Sequence, residues 1–381
     1  MTTDALQNAI ELMRHASVSG VKDPGALDAL QGMLEPLGFI CHRVVFDGDG
    51  SYPVDNLYAK LGNEQPNLCF AGHTDVVPVG DAAAWSIDPF VPQVQDGMLI
   101  GRGAVDMKAA IGSFVAAVSG YLEDGNKPKG SISFLITGDE EADSINGTVK
   151  MLGWLKEKGE VIDACIVGEP TNPTELGEMI KIGRRGSVSF DLTVKGTQGH
   201  VAYPKLAENP ITPMVDILHR MTQDALDEGT EFFQPTNLEI LSVDAGNAAY
   251  NVIPASVSAK GNIRFNSLHT KQSLGQRLNE HCRAVTENYT LELHPGSECF
   301  LTPPGELSTL VANSVEVVTG KMPELSTTGG TSDARFIKDI CAVVECGLIN
   351  KTAHKVDEQV SVEAIEQLAE IYKKILESYF S

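Results

Sequence analysis

Five short stretches of this chain end in groups that bind cations or move protons. His73-Thr74-Asp75 follows the apolar run Leu68-Cys69-Phe70-Ala71, with Gly72 between. Asp106 follows Met98-Leu99-Ile100, Glu140-Glu141 follows Ile132-Ser133-Phe134-Leu135-Ile136, and Glu169 follows Ala164-Cys165-Ile166-Val167. The last is His354, in Thr352-Ala353-His354-Lys355-Val356-Asp357-Glu358. Taken alone, a histidine at a strand end is more often structural than functional, and adjacent glutamates are usually solvated. Strands that stop and deliver imidazole and carboxylates to one rim describe a metal site. Residues two apart in extended chain point the same way, so the Asp75 carboxylate is placed to fix the tautomer of His73. Neighbouring Glu140 and Glu141 point apart, so one can bind metal while the other faces a water as general base.

These groups need a scaffold. The 381 residues exceed one ordinary core, so two domains are expected. Strands and helices alternate through the first half: strands at Leu57–Ala59, Leu68–Ala71, Ile132–Ile136 and Ala164–Val167, helices at Ala5–His15, Leu27–Leu37, Lys108–Leu122 and Gly147–Lys158. That order predicts an α/β domain with a mostly parallel central sheet. After Ile180 the pattern changes. Ser187–Val194 alternates with period two, and strand, helix, strand, strand, helix, strand follow to His294, the order of a two-layer α+β unit. The expected architecture is a discontinuous catalytic domain, 1–181 and 297–381, interrupted by an insert at 182–296. Asp47-Gly48-Asp49-Gly50 lacks the other ligands of a calcium loop and reads as a turn.

Composition excludes several classes. Lys and Arg number 29 against 51 Asp and Glu, a net charge of −22, which repels nucleic acid and anionic lipid. Aromatic content of 6% leaves no stacking platform for single strands. No stretch reaches the roughly 18 apolar residues of a membrane span, and the start, Met1–Leu6, has no signal-peptide pattern. Seven cysteines without a CxxC pair read as free thiols, and a cytoplasmic location is expected. An anionic substrate needs a local basic pocket in so acidic a protein. Lys181, Arg184, Arg185 and Arg264 are the candidates, with Thr328-Gly329-Gly330-Thr331-Ser332 before a helix predicted at Asp333–Lys338.

In matching order along nearly the whole chain, these segments resemble the co-catalytic zinc aminoacylase and exopeptidase family of metallopeptidases. The resemblance is carried by Gly72-His73-Thr74-Asp75-Val76-Val77-Pro78, Gly101-Arg102-Gly103 through Asp106-Met107-Lys108, Gly138-Asp139-Glu140-Glu141 and Gly168-Glu169-Pro170. It continues in Gly183–Ser187, Gly196–His200, Tyr250–Pro254, Gly330–Phe336 and the His354 segment. The resemblance implies two zinc ions per subunit, with cobalt or manganese able to substitute. His73 and Glu169 would hold one, Glu141 and His354 the other, with Asp106 bridging and its peptide to Met107 cis. It implies Glu140 as general acid/base, Asp75 as the group orienting His73, and Arg184, Asn251, Arg264, Gly330, Thr331 and Ser332 as substrate-binding residues. It further implies that the insert is a dimerisation and lid domain of a homodimer, carrying His200 to the oxyanion. The expected reaction is hydrolysis of a linear amide in a small dicarboxylic amino-acid substrate by a zinc-activated water. The Arg184 and Gly330 segments favour release of succinate, as in diaminopimelate and lysine biosynthesis. A deacetylase such as one acting on acetylornithine is the alternative, and a non-catalytic metal-containing binding protein is a distant one. Ala109-Ala110 departs from the glycine frequent after Asp-Met-Lys but removes no ligand.

Overall fold

A computed structural model describes residues 4–21 and 23–381. Met1–Thr3, the first residues of the start considered above, lie outside them. The chain divides into two compact units, one of 1–182, 302–326 and 332–381, the other of 183–301 and 327–331. The segment 327–331, grouped by sequence with the α/β part, thus clusters with the second unit.

The first unit is built on an eight-stranded mixed sheet. Its strands lie in the order Ile40–Gly48, Ser51–Leu61, Ser131–Thr137, Asn67–His73, Ala164–Val167, Ala342–Glu345, Met179–Lys181 and Glu324–Ser326. The four from Ser131–Thr137 to Ala342–Glu345 run parallel and form its centre. They are buried on both faces, which explains their continuous apolar runs. Of the hairpin Ile40–Leu61, the sequence marks only Leu57–Ala59 of the second strand, because the first strand has no buried residue and its apolar alternation is weak. The hairpin turns through Asp49-Gly50, at φ +55° and +80°, as a two-residue Asp-Gly loop should.

Helix Lys108–Glu123 is apolar nearly all round because it is covered on several sides. Phe114 stacks on Phe70 of the sheet at 4.4 Å between ring centroids and meets Tyr372 of helix Val362–Tyr379 edge-on at 5.3 Å. On another side Gly112 lets helix Ala5–Met13 approach closely. A Cβ there would stand 2.7 Å from the Ala9 nitrogen, while Asn8 Nδ2 donates to the Gly112 carbonyl at 3.1 Å.

The second unit is a four-stranded antiparallel sheet, ordered Asn237–Asp244, Ser256–Phe265, Gly186–Lys195, Tyr289–Leu293. Its core joins Val188, Phe190, Leu192 and Val194 to Met214 and Ile217 of helix Ile211–Gln223 and Leu274 and Leu278 of helix Lys271–Arg283. One face is covered and the other is not, which is the source of the period-two pattern. All seven cysteines are free. Among the described residues no helix is long and apolar enough to cross a membrane.

Candidate metal centre

Three of the parallel strands end on one edge in register, His73 opposite Thr137 and Ala71 opposite Val167. That edge therefore carries His73 itself, the loop with Glu140 and Glu141 one turn beyond Thr137, and Glu169 two residues beyond Val167. Gly72 and Gly168 leave room there for the Met107 side chain. A Cβ on either would run into Met107, at 2.3 and 2.7 Å, so glycine admits the Asp106–Met107 segment against the strand ends. The Asp106–Met107 peptide is cis.

The two Asp106 oxygens face opposite ways. Oδ1 stands 3.2 Å from His73 Nε2, and Oδ2 stands 3.2 Å from His354 Nε2. Glu169 adds an oxygen 3.4 Å from His73 Nε2, and Glu141 one 2.9 Å from His354 Nε2. Two ligands each about 2.0–2.2 Å from one tetrahedral zinc stand about 3.3–3.6 Å apart; the Glu169 separation of 3.4 Å lies in that range, the two Asp106 separations of 3.2 Å lie just below it, and the Glu141 separation of 2.9 Å is that of a direct hydrogen bond. Donor atoms of His73, Asp106 and Glu141, and of His73, Glu140 and Glu169, lie within 4.8 Å of one another. Nitrogen and carboxylate donors without thiolate suit zinc.

The electrostatics point the same way. Burial and the Asp106 charge push Glu169 up to about 7. Burial and Glu169 raise Glu140 well above the carboxylate range. Burial also raises Asp333, to about 6. Hydrogen bonds to Asp106 and Glu141 carry His354 up to about 10. Burial alone would lower His73, but Asp106, Asp75 and Glu169 raise it well above 6.5. Buried carboxylates so crowded need positive charge, which a cation supplies more compactly than protons.

Asp75 lies against His73 and holds more than the imidazole. His73 Nδ1 donates to the Asp75 main-chain carbonyl at 2.9 Å, while the nearer carboxylate oxygen is 3.5 Å away. The carboxylate accepts from Ser19 Oγ at 2.6 Å and from the Glu140 and Glu141 amides at 3.2 and 3.1 Å. It therefore aims the two glutamates as much as the imidazole.

Of the expected substrate-binding residues, Ser332 lies in this first unit, donating to Glu345 at 2.5 Å. Lys181 is also here and buried, bonded to Ser326 Oγ at 3.4 Å. The second unit carries the others. Arg184 is buried and donates to the Gly330 carbonyl at 3.1 Å, beside Thr331. Arg264 is half-buried opposite Ser187. His200 is exposed, pairs with Val252 and accepts from the Ala202 amide at 3.0 Å. Asn251 lies next to it, its carbonyl accepting from Val201 at 3.1 Å. The helix expected at Asp333–Lys338 is a single turn, Ala334–Ile337.

The sequence reading gave no role to Ser19, Asp139 or Glu358. Asp139 is buried and its carboxylate accepts from Tyr52 Oη at 2.6 Å and the Ile145 and Asn146 amides, pinning the loop that carries Glu140. An acid directly before the Glu140-Glu141 pair was the available signal.

The model of peptidase family M20/M25/M40 matches residues 69–378. A protein of Rhodospirillum centenum named succinyl-diaminopimelate desuccinylase is 54% identical over 100% of this chain and 98% of its own. One of the same name from Ehrlichia canis is 49% identical over 100% of both. Among solved structures, an M20 family metallo-carboxypeptidase of Sulfolobus solfataricus superposes with a TM-score of 0.76 at 17% identity, covering 98% and 99% of the two chains. The YXEP protein of Bacillus subtilis, described as a dinuclear metal binding peptidase of the M20 family, gives 0.68 at 13%, covering 99% and 97%. Those two likenesses speak for the fold. The family model and the full-length relatives establish that this chain belongs to peptidase family M20/M25/M40.

Proposed function

We propose that this chain hydrolyses N-succinyl-LL-2,6-diaminopimelate to succinate and LL-2,6-diaminopimelate, in diaminopimelate and lysine biosynthesis. The observation that carries the reading is full-length identity of 49–54% to proteins named for that reaction. The convergence of His73, Asp106, Glu140, Glu141, Glu169 and His354 on one sheet edge is what a metal-dependent amide hydrolase needs.

His73 and Glu169 would hold one zinc, His354 and Glu141 a second, with an Asp106 oxygen toward each; cobalt or manganese fits the same donors. When bound, such a pair polarises an amide carbonyl and acidifies water. Glu140 takes the proton from the attacking water and returns it to the leaving amine. Its raised proton affinity, from burial and Glu169, suits that exchange. Asp75 keeps Glu140 in place through the main chain. Arg184, with Gly330, Thr331 and Ser332, receives a carboxylate of the substrate, and Arg264 and Asn251 receive others. His200 stabilises the oxyanion. The second unit serves as lid and as the interface of a homodimer. Apolar Val201, Tyr203, Leu206, Leu241 and Val243 are exposed on it, which supports that reading. The enzyme works in the cytoplasm on this small molecule, without nucleic acid or membrane.

A comparison of kcat/KM for N-succinyl-LL-2,6-diaminopimelate and N-acetylornithine tests the substrate. A site built to hydrogen-bond a carboxylate discriminates strongly against its absence, so at least about 100-fold preference for the succinylated compound is expected. Preference for the acetylated one contradicts the reading.

Metal uptake is also expected to release protons. Without metal, His354 binds its proton up to about pH 10, His73 well above 6.5, and Glu169 to about 7. All three must give those protons up to ligate, so loading both cations at pH 7 releases about two to three protons per chain. Affinity therefore falls as pH is lowered. Calorimetry in buffers of different ionisation enthalpy measures the number, and no net release would contradict the ligand set.

A further inference from the structure

We infer that Glu358 is a positioning residue that ties the bridging Asp106 to the loop bearing His354, and so governs the His354-side cation far more than the His73-side one. This rests on the two-cation reading above. Glu358 is fully buried and has no place in that ligand set. One carboxylate oxygen accepts from the Val105 and Asp106 amides at 2.7 and 3.1 Å. The other accepts from Arg102 Nη1 at 2.6 Å, and the Glu358 main-chain carbonyl accepts from Gly101 at 2.9 Å. Four hydrogen bonds from one residue thus fix Gly101–Asp106, the segment that sets where the Asp106 oxygens lie.

The same residue anchors the other side. Glu358 follows His354 by four positions, and the intervening loop closes on itself through Thr352 Oγ1 and Gln359, at 2.7 and 3.0 Å. Arg102, held by Glu358, also donates to the Lys355 carbonyl at 3.3 Å and lies 5.1 Å from the Trp85 ring centroid. Asp357 accepts from the Ser86 amide and hydroxyl at 2.8 and 3.0 Å. The loop needs such ties. His354 and Asp357 sit at φ +64° and +53°, a left-handed conformation that non-glycine residues hold only when their surroundings impose it.

The His73 side is built otherwise. His73 is the last residue of a central strand paired on both sides, and Glu169 follows the neighbouring strand by two residues. Neither touches Glu358 among the contacts above. Loss of Glu358 leaves that pair on the sheet while freeing Asp106 Oδ2 and His354 to drift apart. A group behind the ligands typically changes metal affinity by about 10–100-fold.

The test titrates full-length, metal-depleted protein with Zn²⁺ by calorimetry, comparing wild type with Glu358→Ala and Glu358→Gln. The wild-type curve tests the two-cation reading by itself, through its stoichiometry. For Glu358→Ala one of the two equivalents should lose about 10–100-fold in affinity while the other stays close to wild type. Glu358→Gln keeps an oxygen for the two amides but sets an amide nitrogen against Arg102, so its loss should be smaller and on the same equivalent. In either variant that folds, two unchanged equivalents, or equal loss of both, overturns the inference.

Discussion

Glu140→Gln should retain its full metal content and lose about 10²–10⁴-fold in kcat, the usual share of general acid–base help. The substitution is nearly isosteric and the main chain at this position is held from outside, by the Asp75 carboxylate on the Glu140 and Glu141 amides. The ligand atoms of His73, Asp106, Glu141, Glu169 and His354 are not removed. What disappears is a group able to gain and lose a proton among donors within 4.8 Å. An amide can do neither at any accessible pH. Zinc content by elemental analysis, single-turnover rates and KM separate the cases. Lost zinc would make Glu140 a ligand rather than a base; retained turnover would remove it from the chemistry.

Much of this site was legible before any coordinates, and the reason is topological. Parallel strands that end together place whatever follows them on one edge, so the apolar runs before His73, Glu140 and Glu169 already implied convergence. The period-two alternation of Ser187–Val194 likewise marked a sheet with one covered face, and that strand is Gly186–Lys195. The remainder depended on contacts between residues far apart in sequence. Glu358 lies more than 250 residues from the amides it accepts, and Ser19 lies 56 from Asp75. Nothing local in Val356-Asp357-Glu358-Gln359-Val360 distinguishes a buried tie from a solvated acid. Period-two geometry and the family resemblance both put the Asp75 side chain near His73, where it lies. Neither reveals that the Asp75 carbonyl takes the closer bond to the imidazole while its carboxylate also holds the glutamate amides. The exposed first strand of the Ile40–Leu61 hairpin was missed because a strand without a buried face leaves little hydrophobic signal.

Removing the metal should have the largest effect of all. The donor cluster carries the buried carboxylates of Glu140 and Glu169, whose proton affinities are raised by burial and by neighbouring acids, and cations are the partners that suit such a cluster. In the metal-free protein the imidazoles hold protons instead, His354 up to about 10, and are bonded to the carboxylates that would otherwise face the cations. Stripping therefore leaves the scaffold but removes the means of polarising an amide, a contribution of several kcal/mol to the barrier. Succinate released from N-succinyl-LL-2,6-diaminopimelate, followed as Zn²⁺ is returned to metal-depleted protein, is the measurement that bears most directly on the whole account. The expected result is background release without metal and activity that climbs with occupancy of the site. Undiminished release after complete metal removal, or none at any loading of correctly folded protein, would contradict it.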